Sequence, residues 1–167
     1  AILTSKKHKD MKKRTLQITR ENFEYIMMGE QRVEHRYIYP SNEKRYINSW
    51  VETNPETGEE MELVQPIDYD TMYLINGRRK DAPRILVEII DAKYVQIVDE
   101  NGVPYTYVQD GKTYIVEQIW YCLGKVLEKE NCENFEFKFH GIKPFVPSAD
   151  DLAFIEEAEN PTDEEQA

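Results

Sequence analysis

The stretch Thr15–Arg36, TLQITRENFEYIMMGEQRVEHR, predicts a strand, a helix and a second strand in succession. Its first five residues alternate apolar and polar side chains, a pattern that predicts a half-buried strand. Phe23, Ile26 and Met27 then follow at i, i+3 and i+4, which predicts a helix over 21–28 with one apolar face. Thr19 before this helix and Gly29 after it are typical capping residues.

The alternation returns over 32–39 and predicts a second strand with two different faces. One face carries Val33, His35, Tyr37 and Tyr39, and the other carries Arg32, Glu34, Arg36 and Ile38. Three charged side chains spaced two residues apart are unusual in a core and typical of a cleft. A Glu34–Arg36 ion pair with a purely structural role is the alternative interpretation.

Outward from this stretch the chain is predicted to be mostly strand. The predicted strands are 50–53, 61–64, 72–75, 84–98, 105–109, 112–116, 120–127 and 135–139. Asp110-Gly111 is the strongest hairpin pattern, because a type I′ turn needs positive φ at both central positions. Ser148 and Asp151 form a capping box that predicts a short C-terminal helix. The fold class is therefore α+β, with mostly antiparallel strands that favour a barrel.

Charge divides the 167 residues into three parts. Residues 1–13 are predicted to be a basic flexible arm, 14–147 a single domain, and 148–167 an acidic tail with room for a short helix. The chain has a formal charge of −11, although the first twenty residues carry +6 and the last twenty −8. This balance excludes a protein that coats nucleic acid by bulk positive charge.

Several classes of site are missing from the sequence. It has no phosphate-binding loop, no dinucleotide-binding glycine pattern and no nucleophile elbow. The three histidines are far apart and the two cysteines form no CxxC pair, so we predict neither a metal nor another cofactor. No apolar run is long enough for a membrane span, and two cysteines make no disulfide framework. These features favour a cytoplasmic protein without a membrane partner.

The octapeptide Gly29–Arg36, GEQRVEHR, resembles the motif of the ASCH domain family, a branch of the PUA-like barrels. That family has a helix running into Gly-x-Lys-x-x-Glu-x-Arg and then a strand. The resemblance extends over about 14–128, with apparent insertions at 40–66 and 99–115. It implies a PUA-like β-barrel with one short helix before the motif strand, to which the capping box adds the short C-terminal helix.

The resemblance also implies roles for individual residues. Glu34 matches the acid of the motif and Arg36 its arginine, whereas Gln31 stands where the family has lysine. Some members are amidohydrolases that use this lysine with a threonine at the position of Glu34. An amide does not titrate, so the chain is predicted to bind a ligand without catalysis. A hydrolase acting on a modified nucleoside, with Glu34 as acid or base, is the alternative.

The expected ligand is RNA or a nucleotide, held in a cleft lined by this motif. The ligand-binding candidates are Gly29, Gln31, Arg32, Glu34, Arg36 and Tyr37, with Arg45, Arg78, Arg79 and Lys80 as an electrostatic rim. Tyr39, Tyr46 and Trp50 are further aromatic candidates for stacking on a base. A third hypothesis is an adaptor whose acidic tail binds a protein partner.

Overall fold

The computed structural model describes residues 11–161, and within that range nine strands and two helices form. The strands are β1 Lys13–Gln17, β2 Val33–Ile38, β3 Ile47–Thr53, β4 Glu60–Pro66, β5 Thr71–Ile75, β6 Arg84–Gln96, β7 Thr106–Gln109, β8 Lys112–Ile115 and β9 Glu117–Glu130. The helices are α1 Arg20–Met27 and α2 Ala149–Glu159, and a 3-10 helix covers Glu43–Arg45. The predicted α+β class, mostly strand with two short helices, is confirmed.

Both predicted chain ends extend beyond this range. Most of the basic arm and the end of the acidic tail lie outside the described residues. Within 11–161, no helix has the length and apolar character that crossing a bilayer requires.

Helix α1 forms where the apolar spacing predicts it. The Thr19 hydroxyl accepts a hydrogen bond from the Asn22 N–H at 3.4 Å, and Gly29 ends the helix with φ +77°. Phe23 and Ile26 are buried, as their spacing requires. Glu24 is also fully buried, which the helical pattern does not predict because this residue lies outside the apolar face.

One sheet has five strands in the order β1-β5-β6-β9-β2. β1 pairs with β5 in parallel, and β5 pairs with β6 in antiparallel orientation. The registers place Leu16 opposite Leu74 and Leu74 opposite Ile85. All three side chains are buried, so neighbouring strands contribute a continuous apolar row to the core.

Two pairs of consecutive strands form hairpins, and the second has the turn that Asp110-Gly111 predicts. β3 and β4 pair in antiparallel register, with Trp50 opposite Leu63. β7 and β8 flank Asp110 and Gly111, whose φ angles are +51° and +78°. Positive φ at both central positions confirms the predicted type I′ geometry.

The contacts divide the chain into two compact units. The first unit contains the described residues up to Glu34, Tyr69–Asp91 and the described residues from Cys122 onward. The second unit contains His35–Asp68 and Ala92–Tyr121. Each has its own buried side chains. The buried hydrophobic side chains of the second unit are Ile38, Tyr46, Ile47, Ile119 and Tyr121.

The strand predicted over Phe135–Phe139 is wrong. Two of its backbone N–H groups, and the N–H group of the residue that follows it, do not pair with a neighbouring strand because they converge on the carboxylate of Glu24. The N–H groups of Lys138, Phe139 and His140 donate at 2.9, 2.8 and 3.1 Å. The alternating phenylalanines instead pack together, with the Phe23 and Phe135 ring centroids 5.5 Å apart.

Arg20 completes the surroundings of the buried Glu24 carboxylate. Its Nε lies 3.3 Å from Oε2 of Glu24, and its guanidinium lies over the Phe135 ring at 4.4 Å. Burial is the largest influence on the pKa of Glu24 and raises it, but the three N–H donors and Arg20 together hold the pKa below its ordinary value. The ionised form is therefore the one that the fold stabilises.

We expect Glu24→Gln to destabilise the protein by about 2–3 kcal/mol at pH 7, since hydrogen bonds to a buried charge are the strong ones. The measurement is urea unfolding followed by circular dichroism. Glu21→Gln is the matched control on the same helix: its carboxylate bonds the exposed Lys143 Nζ at 2.9 Å. The control substitution should lower the free energy of unfolding by less than about 1 kcal/mol.

The same pair of variants has a distinct pH dependence. A carboxyl whose pKa is lowered by folding stabilises the native state above its unfolded pKa, near 4.3. This contribution is lost as the pH falls through the lower folded pKa. The difference in unfolding free energy between wild type and Glu24→Gln should therefore shrink below about pH 4. Equal losses for the Glu24 and Glu21 variants would contradict the role assigned to Glu24.

Candidate functional site

The octapeptide Gly29–Arg36 does not present all its side chains to one surface. Gln31 and Glu34 are buried, with 9% and 5% of their surface exposed. The Gln31 amide donates to the Val33 carbonyl at 3.2 Å, so at this position the side chain supports the backbone that enters β2. Arg32 and Arg36 are half-buried, and Tyr37 beyond them is exposed.

Arg32 is held between a strand and the C-terminal helix in the first unit. Its Nε donates to the Leu123 carbonyl at 3.1 Å, and the Leu123 N–H donates back to the Arg32 carbonyl at 2.8 Å. Its Nη1 lies 2.5 Å from Oε1 of Glu159, at the end of α2. A carboxylate of the acidic tail thus contacts the guanidinium of a predicted ligand-binding residue.

Helix α2 belongs to the packed part of the first unit. The Ser148 hydroxyl caps it by accepting from the Asp151 N–H at 3.0 Å, as the capping box predicts. Phe154 on the helix is 2% exposed. Glu159 lies at the helix C-terminus, where the dipole disfavours an anion, and the Arg32 guanidinium offsets this cost.

We expect Phe154→Ala to cost about 3–5 kcal/mol of stability, because it removes a buried ring and leaves a cavity. Leu152→Ala on the same helix is the control, since Leu152 is exposed. Chemical denaturation of the two variants should show a small effect for the control. If Phe154→Ala were as stable as Leu152→Ala, α2 would be a surface appendage.

Cys122 lies next to Leu123 on β9, close to Arg32. Burial raises the pKa of the Cys122 thiol, and the charge of Arg32 opposes this only in part. A buried thiol with a raised pKa is a poor nucleophile, so Cys122 is a core residue. Among residues 11–161, no group of three His, Cys, Asp or Glu is placed to hold a metal ion.

The predicted rim residues are exposed and fall in both units. Arg78, Arg79 and Lys80 lie in the loop between β5 and β6 of the first unit. The Arg84 guanidinium donates to the carbonyls of Arg79 and Lys80 at 3.3 and 2.9 Å, which fixes this loop. Arg45 ends the 3-10 helix of the second unit.

A cavity of about 400 Å³ opens in the second unit, and we call it the tyrosine cavity. It is lined by Tyr37, Ile38, Tyr39, Tyr107, Val116 and Glu117. Tyr37 and Tyr39 are 51% and 42% exposed. Their ring centroids are 6.2 Å apart, and the ring planes are inclined by 26°. The ring centroids of Tyr39 and Tyr107 are 6.0 Å apart, and these ring planes are inclined by 85°, so the two rings form a corner. Tyr107 also stacks on Tyr114, with ring centroids 5.5 Å apart, so Tyr37 and Tyr39 provide the exposed aromatic surface of this corner.

Glu117 is the charged residue of the tyrosine cavity. Burial raises its pKa most, and the negative charges of Glu43 and Glu62 raise it further. The Tyr94 hydroxyl donates a hydrogen bond to Oε2 of Glu117. Within residues 11–161, no other side chain donates to Glu117, so its carboxylate can accept a further hydrogen bond.

Sequence reasoning includes only part of this cavity. Tyr37 and Tyr39 are stacking candidates because they share one face of β2, whereas Tyr107 and Glu117 are missed. Both lie more than sixty residues further along the chain. Of the other aromatic candidates, Tyr46 is buried against Tyr121, with ring centroids 6.5 Å apart. Trp50 is exposed on β3 and donates to Glu52 at 3.1 Å.

Comparison with protein-family models, with curated proteins and with solved structures found no match for this chain.

Proposed function

We propose that this protein binds RNA or a nucleotide, as an ASCH-type domain with a PUA-like barrel. The tyrosine cavity carries this proposal. Its volume of about 400 Å³ lies within the range of small-ligand sites and suits one nucleobase with its ribose. Aromatic faces stack on bases with little regard to sequence. The carboxylate of Glu117 supplies an acceptor for amino groups on the base edge.

The backbone supports the placement of these rings. The Tyr39 N–H donates to the Asn42 side chain at 2.7 Å, and its carbonyl accepts from the Asn42 and Glu43 N–H groups at 3.0 and 2.9 Å. This turn fixes the end of β2 and with it the Tyr39 ring. A rigid aromatic ring loses little entropy when it binds a ligand.

Phosphate contacts are assigned to Arg36, the half-buried arginine of the octapeptide that belongs to the same unit as the tyrosine cavity. A guanidinium that is already held by a carbonyl or a carboxylate keeps further N–H donors for a phosphate. With a chain charge of −11, the protein depends on such local contacts and forms few of them.

We expect Tyr39→Ala to weaken binding of a fluorescein-labelled RNA octamer by about 1–3 kcal/mol, the usual contribution of one stacked base. The substitution keeps the backbone hydrogen bonds of the turn. Fluorescence anisotropy at 50 mM salt measures the affinity. Tyr105→Ala is the matched control, because Tyr105 is equally exposed in the same unit and does not line the cavity. If the wild type bound no octamer or nucleotide, the proposed function would be wrong.

Removing the Arg36 guanidinium should also change the salt dependence. We expect Arg36→Gln to reduce the slope of log K against log salt by about 0.7, the change for one lost contact on single-stranded RNA. Lys125→Gln removes the same charge from an exposed position on β9 and should leave the slope unchanged. Parallel slopes for the two variants would exclude Arg36 from the phosphate contacts.

A further inference from the structure

The tyrosine cavity lies in strongly negative surroundings. Glu117 also lines a second cavity of about 430 Å³ in the same unit, together with Glu43 and Glu62. Within the part of the chain that the structure describes, no lysine or arginine forms an ion pair with any of these three carboxylates. A ligand that brings positive charge to Glu117 would relieve their mutual repulsion.

The rings of the cavity favour the same kind of ligand. The face of a tyrosine ring carries partial negative charge and attracts a cation within about 6 Å of its centre. Tyr39 and Tyr107 meet nearly at right angles, so a group in this corner lies close to both rings. A flat cation can stack on one ring while its edge reaches the carboxylate of Glu117.

The Glu117 carboxylate is held by a short chain of hydrogen bonds. Tyr94 donates to Oε2, and its own hydroxyl oxygen accepts from the Gln96 amide at 3.3 Å. Among residues 11–161, no second side chain donates to this carboxylate, so it can accept a hydrogen bond from a ligand. The ligand should therefore combine an aromatic ring, a positive charge and an N–H group on one edge.

We propose that the tyrosine cavity selects a positively charged nucleobase, alkylated on a ring nitrogen, over its neutral parent. This inference rests on the proposed function and names the class of base that the same site prefers. A neutral base gains stacking and a hydrogen bond to Glu117, whereas a cationic base adds charge attraction to the ring faces and to the carboxylate. The amino group of such a base becomes a stronger donor to the carboxylate.

Three RNA octamers that differ only at one central base test this preference. The base is 1-methyladenine, which is cationic at neutral pH, N6-methyladenine, its neutral isomer, or adenine. The two methylated bases have the same heavy atoms but differ in charge and in the amino group, and adenine is a neutral base that keeps the unmethylated amino group. The two comparisons together separate the effect of charge from that of the amino donor. We expect the full chain to bind the 1-methyladenine octamer at least tenfold more tightly than the other two, as measured by anisotropy at pH 7.5.

Three variants test whether residues of the tyrosine cavity cause the preference for the cationic base. Glu117→Gln retains an acceptor for Tyr94 and should reduce the preference to less than threefold, with little change for the N6-methyladenine octamer. Tyr39→Leu keeps an apolar contact without the ring and should also reduce the preference. Glu60→Gln removes a carboxylate from β4 that lines neither cavity, and it should leave the preference intact.

The outcomes separate the two proposals. Equal binding of all three octamers would overturn the selectivity for a cationic base and leave the proposed function standing. No binding of any octamer would overturn both. A trimethyllysine peptide that bound in the place of RNA would also overturn the inference, because it would assign the cavity to a protein ligand.

Discussion

The buried carboxylate of Glu24 is the interaction on which the first unit depends. An ionised group without solvent contact is stable only when its oxygens are fully hydrogen-bonded, and here three consecutive N–H groups and Arg20 supply those bonds. The result joins α1 to a segment more than a hundred residues away in sequence. The N–H groups of residues 138–140 are then unavailable to a strand, and Phe135 packs against Phe23 of the helix.

The two units differ in whether their carboxylates contact donors or cations that offset the negative charge. In the first, Glu24 is enclosed by donors, and Glu159 contacts the Arg32 guanidinium at the end of α2. In the second, Glu43, Glu62 and Glu117 line a cavity without a compensating cation among residues 11–161. Compensated charges hold a fold together, whereas uncompensated charges beside an opening are available to a ligand. Glu117 is shared with the tyrosine cavity, which is why the proposed base site lies there.

The octapeptide has fewer exposed side chains than its pattern predicts. Gln31 and Glu34 are buried, and Arg32 is held by Leu123 and Glu159. What remains accessible on β2 is the tyrosine face, which alternation places opposite to the charged one. The proposed base site in this segment therefore lies on the tyrosine face.

The sequence by itself determined the elements whose causes are local. The apolar spacing and caps specified α1, Asp110-Gly111 specified the β7–β8 turn, and Ser148 specified the start of α2. The contacts between residues that are distant in the sequence depend on the tertiary structure. Glu24 and residues 138–140, Arg32 and Glu159, and Tyr39 and Tyr107 are each far apart in the chain. Their pairing depends on the packed positions of helices and strands, which no local pattern of side chains encodes.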